Sequence, residues 1–501
     1  MTGRGYNKQI INNSLLSVLQ ITISALVILV IYKFVINSVG IEEFGLWSLI
    51  ISVTSFSELG NFGFSGSLIK YSAELSTRNS FKELIGLLNV SFIFLALLTG
   101  VLLLAVYTIG DLILPFLVES NLVELGKNVM LFILLGLYLN VLAGLFFAVL
   151  EGLNISYLKS ISIIIASITY LVSTIYMVNS FGLIGLAYAY VIQASVYFIL
   201  GIYCICKRIK NYHFFKLKIP KGLWRRFVSY SVKFMFIGLS QTLYDPVTKV
   251  ILSRFGGLSF VALFEVATKL IIQVRGLVLG ILKNILPKIV ALKSLNGNGT
   301  LEKQFSYVFK LNLVLLIITL GLILPNLKII SIMFIGTFDV NFVLVGLILI
   351  LGWFINSITI SAYIFNLGTA HLSWNLISHI AIGILNLVFC LITGLVFSSG
   401  VGIILSWSLS LSLGSLLLLI EYHKRNHLDI KTYFNPLSFN LLAHYSIFTL
   451  FSVIINYYIN QFYILIVVQT ILAIVFLFSL YRINFVKHSV LHFKDLLLSN
   501  R

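Results

Sequence analysis

The sequence predicts an all-α integral membrane protein of about 14 spanning helices, two six-helix lobes in parallel pseudo-repeat plus two C-terminal helices. Three observations predict it: the composition, the spacing of the apolar runs, and the sign of the charge in the loops between them. Hydrophobic residues make up 59% of the 501 and charged residues only 10%. A soluble domain carries about 25% charged residues. This chain cannot build that polar cover, so its outer surface is predicted to face lipid.

Apolar runs long enough to span fall at 14–37, 44–69, 84–107, 129–150, 157–178, 184–206, 227–253, 260–285, 307–329, 343–366, 374–397, 401–422, 441–459 and 462–482. Arg4 and Lys8 precede the first run, as in a secretory signal. The run is longer than such a signal and ends in Lys33-Phe34-Val35 rather than in a small-x-small cleavage site, so it reads as an uncleaved first span. Spans two, seven and eight contain charges.

With the N-terminus inside, one set of loops holds Lys70, Arg78, Lys82 and Lys159, then the run from Lys207 to Arg226. It continues with Lys288, Lys293, Lys303, Lys424, Arg425 and Lys431 and ends in Arg482, Lys487, Lys494 and Arg501. The opposite loops hold Glu42, Glu43, Asp111, Glu119, Glu124 and Asp339, with Lys127, Arg254 and Lys328 as their clear basic residues. That asymmetry predicts that both termini are cytoplasmic, and an odd number of spans would invert it.

The basic linker 207–226 divides the chain into an N-lobe (1–206, spans one to six) and a C-lobe (227–422, spans seven to twelve), followed by 423–501 with the last two spans. Six is even, so both lobes enter the membrane in the same direction, as a parallel repeat requires. The turn Val39-Gly40-Ile41-Glu42-Glu43-Phe44 and the segment Phe255-Gly256-Gly257-Leu258-Ser259-Phe260 fall at matching places and carry Gly and Phe at the same offsets.

A net charge of +18 invites a nucleic-acid reading. The charge lies in short loops between apolar runs, with no basic, aromatic-interleaved soluble domain to hold such a ligand, so none is expected. Cys204, Cys206 and Cys390 read as reduced structural residues, and no metal site is expected from them. GxxxxGK[ST], HExxH and GxSxG motifs do not occur. The chain therefore reads as a non-enzyme with no cofactor, and H⁺ or Na⁺ are the candidate coupling ions.

An ionisable residue at a helix centre costs about 2.5–3.5 kcal/mol on insertion scales. The chain still places Lys33 in span one, Glu58 in span two, Lys233, Asp245 and Lys249 in span seven, Glu265, Lys269, Arg275 and Lys283 in span eight, and Lys310 in span nine. Gln241, Asp245 and Lys249 recur every four residues, as do Glu265, Lys269 and Gln273, so each set forms a stripe on one helix face. Two readings stand. Asp245–Lys249 and Glu265–Lys269 are self-neutralising i,i+4 pairs, or the stripes line an interior cavity. Lys233, Lys283 and Lys310 can snorkel to the inner boundary, and the remaining set is basic on balance. Such a cavity suits an anion, a phosphate or pyrophosphate, with Arg as a fork and Lys as a point charge.

The segments Val39-Gly40-Ile41-Glu42-Glu43-Phe44-Gly45-Leu46-Trp47-Ser48, Glu58-Leu59-Gly60-Asn61-Phe62-Gly63-Phe64 and Leu68-Ile69-Lys70-Tyr71 resemble those of lipid-linked oligosaccharide flippases. So do Asp245, Phe255-Gly256, Phe264-Glu265-Val266-Ala267-Thr268-Lys269-Leu270 and Pro287. These flippases are the polysaccharide-transporter branch of the multidrug/oligosaccharidyl-lipid/polysaccharide exporter superfamily. Phe264, where an aromatic hydroxyl is common, and Glu58, where another acid is common, depart from that pattern. The resemblance implies two lobes in alternating access, moving an undecaprenyl-pyrophosphate-linked oligosaccharide such as an O-antigen or capsule repeat unit. Membrane lipid and a polysaccharide polymerase complex are its implied partners. Peptidoglycan- or teichoic-acid-precursor flipping and drug or cation antiport are the alternatives. Lys33, Lys249, Lys269 and Arg275 are the expected contacts to the anion, with Glu58, Asp245 and Glu265 balancing charge or carrying a coupling proton.

Overall fold

The computed structural model describes residues 3–54, 63–78, 80–209, 221–242, 244–283, 289, 298–369, 371, 373–429, 436–459 and 461–482. Among them every regular element is helical. A chain in hydrocarbon has to satisfy its backbone groups within each segment, and an all-helical chain does so.

The chain separates into two units, Met1–Ala262 and Leu263–Arg501. The first holds α1 (Gly3–Val39), α2 (Ile41–Thr54), α3 (Phe64–Thr77), α4 (Phe81–Leu117), α5 (Ser120–Gly152), α6 (Tyr157–Arg208), α7 (Lys221–Thr242) and α8 (Tyr244–Phe255). Helix α9 (Leu258–Lys283) begins there and continues into the second unit. That unit holds α10 (Asn298–Ile323), a 3₁₀ turn (Leu324–Asn326), α11 (Leu327–Ile335), α12 (Val340–Ile358), α13 (Ile360–Gly368), α14 (Ser373–Phe397), α15 (Gly400–Arg425), α16 (Pro436–Tyr458) and α17 (Phe462–Arg482).

Described helices fall on all 14 expected spans. Nine stretches of described helix are long and apolar enough to cross a bilayer. One of them, α6, has 52 residues. At about 1.5 Å per residue that is more than twice the roughly 30 Å of hydrocarbon. It is two spans, five and six, joined where Gly182 leaves the helical region at φ 58°, ψ −137°. Helices α2 and α3 lie on span two and α7 and α8 on span seven, with 55–62 and 243 outside the described residues; α16 supplies span thirteen.

In the first unit α5 is the axis, packed against α2, α3, α4 and α6. Its central window is 61% buried, against 17% for α4, whose Leu97, Val101, Leu104, Leu112 and Phe116 lie open on the outer face toward lipid. Helix α1 lies along α6 through a serine seam. Ser17 meets Ser160 at 3.4 Å and Ser24 meets Ser167 at 3.0 Å, a seven-residue step on both helices. Small hydroxyl residues of this kind let transmembrane helices approach and hydrogen-bond. Helix α7 packs on α3, with Phe227 against Phe64 and Tyr71 and the Lys70 ammonium 4.1 Å from the Tyr230 ring centre.

In the second unit two helix breaks are mended by side chains. Spans of α12 and α13 meet at Thr359, and Asn312 on α10 donates to the carbonyls of Ser357 (2.8 Å) and Ile358 (3.2 Å) that the break frees. Pro325 interrupts span nine, because its ring cannot donate and clashes with the preceding turn. Its carbonyl accepts from Asn456 Nδ2 at 2.7 Å, which ties α16 to that break. Ser452 on α16 and Gln469 on α17 share two hydrogen bonds, 2.7 and 3.0 Å, so the last two spans form a pair.

The basic exceptions in the acidic loops have local causes. Lys127 pairs with Asp111 at 2.7 Å. Lys328 donates to the carbonyls of Asn456 and Ile459 at the end of α16, and Arg254 sits in the last turn of α8. Cations at helix C-termini meet the partial negative charge of the last carbonyls. Asp339 in turn caps α12, accepting from the amides of Asn341 (2.7 Å) and Phe342 (3.2 Å). Burial pushes the Glu43 carboxyl above the usual carboxylate range.

The pseudo-repeat is written in the backbone. Gly40 between α1 and α2 has φ 90°, and Gly257 between α8 and α9 has φ 89°. Both carbonyls then accept the first helical bond, from Phe44 and from Val261. Gly182, between spans five and six, and Ser398, between spans eleven and twelve, also have positive φ. The two pairs lie 217 and 216 residues apart. The sequence match aligned Gly40 with Gly256; the structure aligns it with Gly257, because only the residue in the left-handed region makes the turn.

Candidate functional site

Asp245 lies on α8 (Tyr244–Phe255). One turn on, Lys249 is 1% exposed. Its ammonium donates to Ser52 Oγ of α2 at 2.6 Å and lies 3.7 Å from Asp245 Oδ2. A buried ammonium needs such partners, because burial of an isolated charge is far costlier than a hydrogen bond returns. Gly45 allows α2 to come this close: a Cβ there would sit 2.0 Å from the Leu258 carbonyl oxygen.

On α9, Glu265 is buried at 4% and lies 3.8 Å from the Lys269 ammonium, whose side chain is 40% exposed. Arg275 lies six residues beyond Lys269. That is about 9 Å along the axis and about a third of a turn away around it. It shares its face with Phe264 and Thr268 rather than with Lys269. Its guanidinium carbon is 4.9 Å from the centre of the Trp353 ring on α12. Trp353 packs on Trp407 of α15 at 5.6 Å, and Trp407 meets Phe264 edge-on at 5.3 Å. His379 of α14 is within electrostatic reach of Arg275 and lies 6.2 Å from the Tyr363 ring. A half-buried guanidinium on an indole face is held flat against the ring.

Lys33 is exposed on α1, and no hydrogen bond or ion pair reaches it among the described residues. Glu58 lies outside the described residues. The helices that carry Lys233, Gln241 and Lys283 are described, but their side chains are not. Lys33, Asp245 and Lys249 belong to the first unit; most of α9, with Glu265, Lys269 and Arg275, belongs to the second. Within each unit the structure joins Asp245 to Lys249 and Glu265 to Lys269 as the four-residue spacing suggested.

Sequence reasoning missed Ser52, Trp407 and His379. Ser52 carries no charge to betray it. The repeat offers a signal, because Ser52 lies 217 residues before Lys269, the step that relates Gly40 to Gly257.

The family described as Polysaccharide biosynthesis protein matches residues 10–293, through span eight and every charged residue just placed. No curated protein matches the chain. Among solved structures, an inward-facing multidrug resistance MATE family transporter of the MOP superfamily superposes with a TM-score of 0.70 at 15% identity. It covers 81% of this chain and 94% of its own. The lipid II flippase MurJ in an inward closed conformation superposes at 0.69 and 15% identity, covering 94% of this chain and 99% of its own. A MOP superfamily transporter from Pyrococcus furiosus, described as having a binding pocket of reverse polarity, superposes at 0.52 and 15% identity, with 84% and 96% covered. These likenesses are of fold.

Proposed function

Because the chain belongs to the polysaccharide biosynthesis protein family, we propose that it flips an undecaprenyl-pyrophosphate-linked oligosaccharide from the inner to the outer leaflet of the bacterial cytoplasmic membrane. Family and fold are those of multi-pass membrane transporters and flippases, not of enzymes. The cargo, such as an O-antigen or capsule repeat unit, and the direction are the proposal. So are the cytoplasmic termini, the coupling to H⁺ or Na⁺, and a working association with a polysaccharide polymerase.

The observation that carries the proposal is the cationic balance of the ionisable groups inside the family-matched spans. A glycan cannot enter hydrocarbon, because its hydroxyls would lose water without replacement. A polar, cationic interior replaces that water and holds the pyrophosphate by charge-assisted hydrogen bonds, while the lipid tail stays in the bilayer. In this reading the lobes 1–206 and 227–422 alternate about the site. Lys269 and Arg275 present their charges to the cargo, and Lys33 adds a third. Lys249, enclosed here, contacts the anion in the state in which α2 and α8 part. Asp245 and Glu265 hold the cations or carry the coupling proton.

The test is mass spectrometry of lipid-linked saccharides from cells that lack the protein. The proposal expects complete oligosaccharides to accumulate on undecaprenyl pyrophosphate, with surface polysaccharide lost. Accumulation of a peptidoglycan or teichoic-acid precursor would move the cargo to those lipids, which carry related phosphate chemistry. Unchanged intermediates with new sensitivity to organic cations would make the protein a drug antiporter.

A further inference from the structure

The first unit contains a cavity of about 240 Å³ between α2, α4, α5 and α8, lined by Leu49, Ile50, Ile113, Leu114, Met130 and Val250 among others, all apolar. We propose that it is a binding site for a segment of the isoprenoid chain of the lipid-linked cargo. The inference rests on the flippase reading for the identity of the lipid and goes beyond it in placing the chain.

Three features argue for that occupant. Its lining residues Ile109 and Ile113 are 54% and 44% exposed on α4, near the open Leu112 and Phe116 of the same helix, which the membrane reading assigns to hydrocarbon. Its lining offers no side-chain hydrogen-bonding group. A sugar or pyrophosphate inside it would lose water with no replacement, which excludes the headgroup. It is also smaller than the roughly 300–1,000 Å³ of sites that enclose a whole ligand, so it takes part of a chain.

A further feature separates a cargo lipid from bulk lipid. Leu49 in the cavity wall and Ser52, which holds the Lys249 ammonium, are three residues apart on one face of α2, about one turn. On α8, Val250 in the wall follows Lys249 directly. A hydrocarbon slot thus abuts a cation at the depth of a spanning helix, where an anionic amphiphile in transit would put its tail beside its phosphate. A resident phospholipid keeps its phosphate at the interface and has no use for the cation at that depth.

The purified full-length protein in proteoliposomes is photolabelled with a diazirine-bearing polyprenyl phosphate. In parallel it is labelled with phosphatidylglycerol carrying the diazirine on an acyl chain, and the labelled peptides are mapped. The proposal expects the prenyl probe to mark 106–117 and Met130, unlabelled polyprenyl phosphate to suppress that mark, and phosphatidylglycerol not to. Val106→Phe and Val250→Phe fill the cavity from different walls. Each should cut labelling about tenfold while the protein stays monodisperse, so loss of one variant to misfolding leaves the other. Equal labelling by both probes without competition makes the cavity an ordinary lipid contact and overturns the proposal. Absent prenyl labelling in protein that flips lipid-linked oligosaccharide overturns it too and leaves the flippase reading intact. Competed prenyl labelling in protein that flips nothing supports the chain site while the transport reading fails.

Discussion

Helices α8 and α9 each carry an acid and a base four residues apart, and the structure buries them the opposite way round. In Asp245–Lys249 the base is enclosed, 2% exposed at its side chain, and the acid is open at 38%. In Glu265–Lys269 the acid is enclosed at 6% and the base is open at 40%. Identical spacing thus gives two functions. The first pair uses its cation inside the protein, joining α8 to α2 through Ser52. The second uses its carboxylate inside and presents its cation. A pair distance of 3.7 or 3.8 Å is looser than a hydrogen bond in both, so burial rather than pairing geometry sets the difference.

The most damaging way to break the first arrangement is at Gly45. Gly45→Ala puts a methyl group against the Leu258 backbone, which cannot move aside as a side chain could. A loss of about 3 kcal/mol or more is expected, at the upper end of overpacking effects, and is read as a collapse of the thermal transition in detergent. The corresponding position 217 residues on is Ala262, which already carries that methyl, so Ala262→Gly should leave the transition within a few degrees.

Lys249 sharpens the comparison next. Lys249→Ala removes a buried side chain and its bond to Ser52, and should cost about 2–3 kcal/mol. Lys249→Met fills the same space without a charge and should be neutral or stabilising by about 1 kcal/mol. If the two variants melt alike, the enclosed ammonium is not what holds α8 to α2.

The smallest effects separate the two acids. Asp245 is exposed enough for water to replace its pairing, so Asp245→Asn should change stability by about 0.5 kcal/mol or less. Glu265→Gln leaves a near-isosteric buried amide and Lys269 without its anchor. Transport should fall about threefold, a loss of less than about 1 kcal/mol of positioning. Equal transport by both variants would erase the difference between the pairs.

Much of the fold was legible because a bilayer leaves few choices. Apolar length marked the spans, and Lys127, Arg254 and Lys328, the basic exceptions to the loop-charge pattern, have helix ends or an acid beside them. The reversal at Gly182 was legible from the gap between two runs. The register of the repeat was not, since Gly256 and Gly257 look alike until one of them takes a positive φ. The site was legible only as a set of misplaced charges. Periodicity puts Asp245 with Lys249 and Glu265 with Lys269, yet it cannot say which member of each pair faces inward, because that depends on neighbouring helices such as α2 with Ser52. The indole beneath Arg275 was hidden for the same reason, as it arrives from α12, far along the chain.

The most direct test is translocation of an undecaprenyl-pyrophosphate-linked oligosaccharide across proteoliposome membranes by the wild type and by the Lys269→Ala, Arg275→Ala double variant. The wild type should translocate it. The double variant should be about a hundredfold slower, the loss of two charge-assisted contacts of about 1.5 kcal/mol each, with an unchanged thermal transition. Wild-type rates in the double variant would contradict the claim that the presented cations of α9 hold the cargo.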